Sequence, residues 1–142
     1  MSTPFGRSRS LANAYHRVGV ETSVVDADPH RLIELLFDGY AQALVQARVA
    51  MAEGRIEDKG RAISQAAKIV DEGLKASLNV EGGGRLASEL RSLYEYVSLR
   101  LVLANVRNDP SILDECGGLI EPLRQAWKEI RPQVANAPRR AS

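Results

Sequence analysis

The chain has 142 residues, 44% of them hydrophobic, with 19 basic and 18 acidic side chains for a formal charge of +1. That length suits one domain with a single modest core, and balanced charge without a basic face or interleaved aromatics argues against a nucleic-acid partner. No apolar run approaches the roughly 18 residues of a membrane span, no apolar stretch follows the basic N-terminus as a secretory signal would require, and Cys116 has no second cysteine to pair with, so the cytoplasm is the expected location and membrane insertion is not expected.

Residues 1–10 are rich in Ser, Arg, Pro and Gly and read as a disordered tail. Leu11, Ala14, Tyr15 and Val18 share one face of a short helical segment. It is too short to hold in water alone, so it would form by docking Tyr15 and Val18 on the rest of the protein, and could also come off. An extended connector with β-branched residues follows from Gly19 to Ala27.

Asp28-Pro29 reads as an N-cap followed by proline at the first helical position. The helix it opens should run to about Ala52 and stop at Glu53-Gly54, with Ile33, Leu36, Tyr40, Leu44, Ala47 and Met51 facing inward. Leu32 and Leu35 fall off that line and Phe37 lies on its shoulder, which leaves spare apolar surface near the start. The next helix is expected from Ile56 to about Leu78, burying Ile56, Ile63, Ala66, Val70, Leu74 and Leu78. Its Gly60 and Gly73 each cost about 1 kcal/mol relative to alanine, explained either by close helix approach or by tolerated wear.

Asn79 to Gly84, with three consecutive glycines, is a turn into the helix around which the chain is organised, Arg85 to Asn108. Leu86, Leu90, Leu93, Val97, Leu101 and Ala104 recur at steps of three and four and share a face. A second apolar line, Tyr96, Leu99, Leu103 and Val106, lies roughly opposite, and Arg91, Glu95 and Arg100 are squeezed between. An ordinary amphipathic helix would be polar there. The second side can be buried by neighbours in a bundle, by a second copy, or by a client.

Asn108-Asp109-Pro110 repeats the cap-then-proline signal. The last helix buries Leu113, Cys116, Ile120, Leu123, Trp127 and Ile130. Gly117-Gly118 and Pro122 interrupt it, with a kink or short break expected at the proline, and Pro132 should end it. The domain is thus expected over 11–131, with a loose tail over 132–142. Four long helices on short connections favour an all-α, antiparallel up-and-down four-helix bundle capped by the short N-terminal helix.

Catalytic constellations are missing. There is no Glu-x-x-His for a di-metal site, and the two histidines, His16 and His30, lie outside the expected core lines, His30 as a surface residue in a first helical turn. Cys116 falls on a buried line without a histidine partner, and the glycine triplet lacks the lysine and spacing of a phosphate loop. The chain reads as a non-enzyme without metal or cofactor. The other classes to weigh are a helical adaptor or homodimerising structural module, and a phosphotransfer partner using His16 or His30.

Several segments in order resemble one family. These are Ala14-Tyr15, Val20-Glu21-Thr22, the run Pro29 to Gly39 with Phe37-Asp38-Gly39, Leu93-Tyr94-Glu95-Tyr96-Val97 with Arg100-Leu101 and Ala104-Asn105, Asn108-Asp109, and Leu123 to Trp127. Together, over about Asn13 to Glu129, they resemble the flagellin-specific export chaperones, FliS. The resemblance implies a four-helix bundle that binds the disordered C-terminal segment of flagellin in the cytoplasm, prevents premature polymerisation and presents it to the type III export gate. It implies that Tyr15 caps a groove that the client otherwise fills, and that Leu32, Leu35, Phe37 and Tyr96 contact the client. Val18, Asp38, Leu99, Leu103, Asn105 and Val106 join them as candidate client residues, with Asp38 and Asn105 equally readable as surface and turn hydrogen bonders. Phe37 in place of the usual tyrosine, Leu99 and Leu103 at commonly polar positions, and Gly117-Gly118 with Pro122 depart from the family's pattern. The extra apolar line is thus client surface peculiar to this chain or a self-association face.

Overall fold

Asp28 opens the first helix as its sequence demands. The carboxylate accepts a hydrogen bond from the Arg31 backbone N–H at 2.7 Å, satisfying one of the donors a helix start leaves free, while Pro29 supplies the first turn without one. The computed structural model describes residues 28–136, and the expectations of a short N-terminal helix and of a loose 1–10 tail lie outside them. Helix α1 spans Pro29–Ala52 and ends before Gly54, whose φ of 73° is a conformation glycine adopts at no steric cost. Helix α2 spans Ile56–Lys68 and runs directly into a π-helical stretch, Ile69–Lys75. Helix α3 spans Val80–Arg107 and α4 spans Pro110–Asn136. Asn108, left-handed at φ 53°, closes α3, and the Asp109 carboxylate caps α4 through the Ser111 backbone N–H and hydroxyl.

The extensive contacts run α1 to α2, α2 to α3, α3 to α4 and α4 to α1, with the π stretch touching α1 and α3. The described chain is therefore an all-helical bundle, and its core is what these four seams share. Leu36, Tyr40, Ile69, Val70, Val97, Leu101, Cys116 and Ile120 are fully buried there. The Tyr40 hydroxyl donates to the Cys116 carbonyl at 2.9 Å, so the phenol oxygen is satisfied inside an apolar core.

The inward lines hold through the middle of each helix and fail at the ends. Ile56 and Leu86 were expected inside, yet each is about two-thirds exposed. Both lie in the first turn of a helical run, before neighbouring helices reach them, and Ala87 is buried in place of Leu86. Conversely, Leu32 and Phe37 are core residues, at 1% and 4% exposure. Because α1 touches α2, the π stretch and α4, it buries a wider arc than a single line.

The expected turn over 79–84 is a capped helical turn instead. Asn79 accepts from the Gly82 N–H at 2.9 Å, and the chain breaks helical geometry only at Gly84, φ 63° and ψ −139°. The break expected at Pro122 is absent, for α4 is one helix through Gly117, Gly118 and Pro122. A proline removes one backbone bond, and the Gly118 it unpairs is on the exposed side, where water can satisfy the carbonyl. The helix also continues past Pro132 to Asn136.

The two glycines of the second helical run separate cleanly. A Cβ on Gly73 would lie 2.9 Å from Leu36 Cδ2, inside contact distance of a fully buried side chain, whereas one on Gly60 would meet nothing within 4 Å. Gly73 is thus required by close packing and Gly60 is not. Gly60→Ala should stabilise the protein by about 1 kcal/mol, and Gly73→Ala should destabilise it by about 1 kcal/mol or more through overpacking. Urea midpoints moving the same way for both variants would refute the assignment.

Candidate functional site

Helix α3 carries the feature that its packing leaves unexplained. Val97, Leu101 and Ala104 are fully buried, while on the outer side Leu99, Val102 and Val106 are 67%, 55% and 75% exposed. Steps of three and four place these three on one stripe. Val102 was overlooked in the sequence although it follows Leu99 by three residues and precedes Val106 by four. Leu103, on the shoulder of the stripe, is half-buried against the core.

Tyr96, at the edge of this stripe, is half-exposed but pinned. Its hydroxyl donates to Glu115 Oε2 on α4 at 2.6 Å, and Arg100 Nε donates to Glu115 Oε1 at 2.8 Å. The Tyr96 and Arg100 donors hold the Glu115 carboxyl below its ordinary range, and the same hydrogen bond raises the Tyr96 phenol. The ring is thus a fixed platform beside the leucine and valines. At the C-terminal end of α3, Lys59 of α2 is buried and donates to the Asn105 carbonyl at 3.0 Å and to Asn108 Oδ1 at 3.1 Å. A cation there also meets the negative end of the α3 dipole. Asn105 therefore anchors the end of α3 through its backbone, and its side chain is half-exposed beside a polar hollow with Arg61, Ser64 and Lys68.

On the other side of the bundle, α1 and α4 leave an apolar furrow of about 430 Å³ between them. Phe37, Leu44, Leu113 and Ile120 line it, Gly117 and Gly118 form part of one wall, and Val45 stands at its lip, 62% exposed. Ion pairs border it. Arg48 meets Asp114 at 3.0 Å, and Arg124 meets Asp38 at 2.9 Å and Glu121 at 3.1 Å. Asp38, also 3.5 Å from Lys128, is therefore a bridge from α1 to α4.

The residues singled out in the sequence divide accordingly. Tyr96, Leu99, Leu103 and Val106 lie together on the outer side of α3, whereas Asn105 faces α2 on a different side of the helix. Leu32 is enclosed in the core, Phe37 is buried but backs the furrow, Leu35 is partly buried, and Asp38 is ion-paired with Arg124 of the furrow's lining. Tyr15 and Val18 lie outside the described residues. His30 departs most from expectation. It is 8% exposed, with its ring stacked on Trp127 at 4.6 Å between centroids. Its Nε2 bonds the Trp127 carbonyl, and the Trp127 indole N–H donates to the His30 carbonyl, each at 2.9 Å. The partners are 97 positions apart, so no local spacing could reveal them. The furrow and Val45 were missed because a seam between two helices has no single-helix periodicity.

Among the described residues no cluster of His, Cys, Asp and Glu could hold a metal ion, and no helix is long and apolar enough to cross a membrane. The sequence profile of the family described as "Flagellar protein FliS" matches residues 11–134. Flagellar secretion chaperone FliS of Salmonella typhimurium is 47% identical over 122 residues, 86% of this chain and 90% of the relative. Flagellar secretion chaperone FliSB of Pseudomonas aeruginosa is 46% identical, covering 82% of this chain and 91% of its own length. Flagellar secretion chaperone FliS of Escherichia coli is 40% identical, covering 88% and 93%. With the profile spanning nearly all of the chain and such relatives matched almost end to end, the protein belongs to the FliS family, a family of flagellar secretion chaperones and not of enzymes.

Proposed function

We propose that this protein is a cytoplasmic export chaperone that binds the disordered C-terminal segment of flagellin, keeps it from polymerising early and hands it to the flagellar type III export gate. The helices run up and down in this reading, and the segment around Tyr15 and Val18 covers part of the client's track until the client displaces it. The observation that favours it most is the stripe Leu99, Val102 and Val106, apolar and exposed on a helix that buries Val97, Leu101 and Ala104 on its other side. Such a surface costs solubility unless a partner covers it. A shapeless segment that orders on binding needs apolar area along a long track to offset its lost entropy, and the α3 stripe offers part of one through helix-in-groove recognition.

Mixing the protein with flagellin should give a one-to-one complex in size-exclusion chromatography with light scattering, and flagellin lacking its C-terminal segment should give none. Binding that ignores the truncation would refute the reading. Deleting residues 1–18 should raise client affinity or slow its release, and unchanged affinity and dissociation rate would remove the capping role. The same exposed stripe also favours a second reading, a weak homodimer through α3. Mass doubling with concentration in the absence of client would support it.

A further inference from the structure

Glu115 belongs to α4, yet both of its carboxylate oxygens serve side chains of α3. The Tyr96 hydroxyl donates to Oε2 at 2.6 Å and Arg100 Nε donates to Oε1 at 2.8 Å. Each end of this bridge is fixed by its chain neighbour. Val97 and Cys116 are fully buried, and the Cys116 thiol lies 4.0 Å from the Val97 carbonyl, so the backbone that carries the ring and the backbone that carries the carboxylate are held together in the core. Tyr96 remains 45% exposed, with its hydroxyl proton already given to α4. What it offers a partner is therefore ring carbon, on the same outer side as Leu99 and Val106. Arg100 neutralises the carboxylate, so the apolar track is not bordered by a bare negative charge that a partner would have to desolvate.

We infer that Glu115 is a positioning residue for client binding, holding the Tyr96 ring in place to receive an apolar side chain of the flagellin segment. This rests on the chaperone reading above. A loose tyrosine would have to be ordered when the client arrives, and ordering a side chain at an interface costs affinity. The bond to Glu115 fixes the ring beforehand, when the protein folds. A staple between α3 and α4 with no part in binding would share this geometry, but it would act on stability alone.

The test is a double-mutant cycle on client affinity. Full-length flagellin is titrated by calorimetry into the wild-type protein, Tyr96→Phe, Glu115→Ala and the double variant, with thermal unfolding of each. Tyr96→Phe keeps the ring and removes only the hydroxyl. Each single variant should weaken client binding about two- to tenfold. The double variant should bind no worse than the weaker single one, because Glu115 acts through the hydroxyl. Tyr96→Ala, which removes the platform itself, should lose roughly tenfold or more. Losses that multiply in the double variant would give Glu115, or the Arg100 it releases, an effect of its own and overturn the proposal, as would a Tyr96→Ala that binds like wild type. Single variants that melt earlier yet bind like wild type would leave the three side chains as a staple, with the chaperone reading standing. If wild type binds no flagellin, that reading and this inference fall together.

Discussion

Leu101→Ala should lower unfolding stability by about 2–5 kcal/mol, while Leu99→Ala, two residues away on the same helix, should change it by no more than about 0.5 kcal/mol. Leu101 is fully buried between neighbouring helices, and truncating it removes apolar contacts and leaves a cavity. Leu99 is 67% exposed and has little to lose within the chain. Binding should show the reverse order. Leu99→Ala should weaken the flagellin complex several-fold or more, in the manner of an apolar anchor at an interface. Leu101→Ala should leave the affinity of the folded fraction near wild type. Paired urea titrations and calorimetric binding curves would decide it, and a stability loss at Leu99 matching that at Leu101 would mean the outer stripe is already covered by the protein itself.

Alkaline pH should unfold this protein sooner than a bundle of similar size with an aromatic-poor core. Burial pushes the Tyr94 phenol up to about 12 and the Cys116 thiol up to about 12, and holds Tyr40 well above its ordinary value. For groups raised in the folded state, stability is fully present below the unfolded values and falls as pH climbs toward the folded ones, because the unfolded chain releases these protons first. Each such group removes about 1.4 kcal/mol per pH unit across its window. The windows open near pH 9 for Cys116 and near pH 10 for Tyr94 and Tyr40. Denaturant midpoints from pH 7 to 11 should stay flat to about 9 and then decline, and Cys116→Ala with Tyr94→Phe should make the decline shallower. An unchanged slope in the double variant would show that other groups govern it.

Helix ends defined by side-chain chemistry were legible from the sequence. Asp28-Pro29 and Asn108-Asp109-Pro110 each put a carboxylate or a left-handed residue where the backbone needs one, and both boundaries fall there. The opposed sides of α3 were legible too, because a period of 3.6 separates Leu101 from Leu99 without tertiary information. What depended on neighbours was not. Leu32 and Phe37 are buried because α1 meets three elements, Leu86 and Ile56 are exposed because no described helix covers them, and His30 is paired by a tryptophan near the far end of the chain. The glycines at 60 and 73 read alike in sequence and differ only in what faces them. Of the candidate site, the α3 stripe follows from one helix, and the furrow exists only between two.

The widened coil at Ile69–Lys75 marks where this helical run can tolerate a change of length. A π turn takes up more residues per revolution than an α turn, so losing one residue there lets the segment tighten toward ordinary α geometry while the chain beyond it keeps its bearing. The α-helical part just before it has no such slack. Each residue subtracted from an α-helix rotates the downstream chain by about 100°. Removing Ala67 without a compensating π turn would swing Leu74 away from the core and carry Lys75 away from Glu95, now 3.8 Å apart. The same one-residue trim is thus absorbed on one side of Lys68 and becomes, on the other, a rotation of half the molecule.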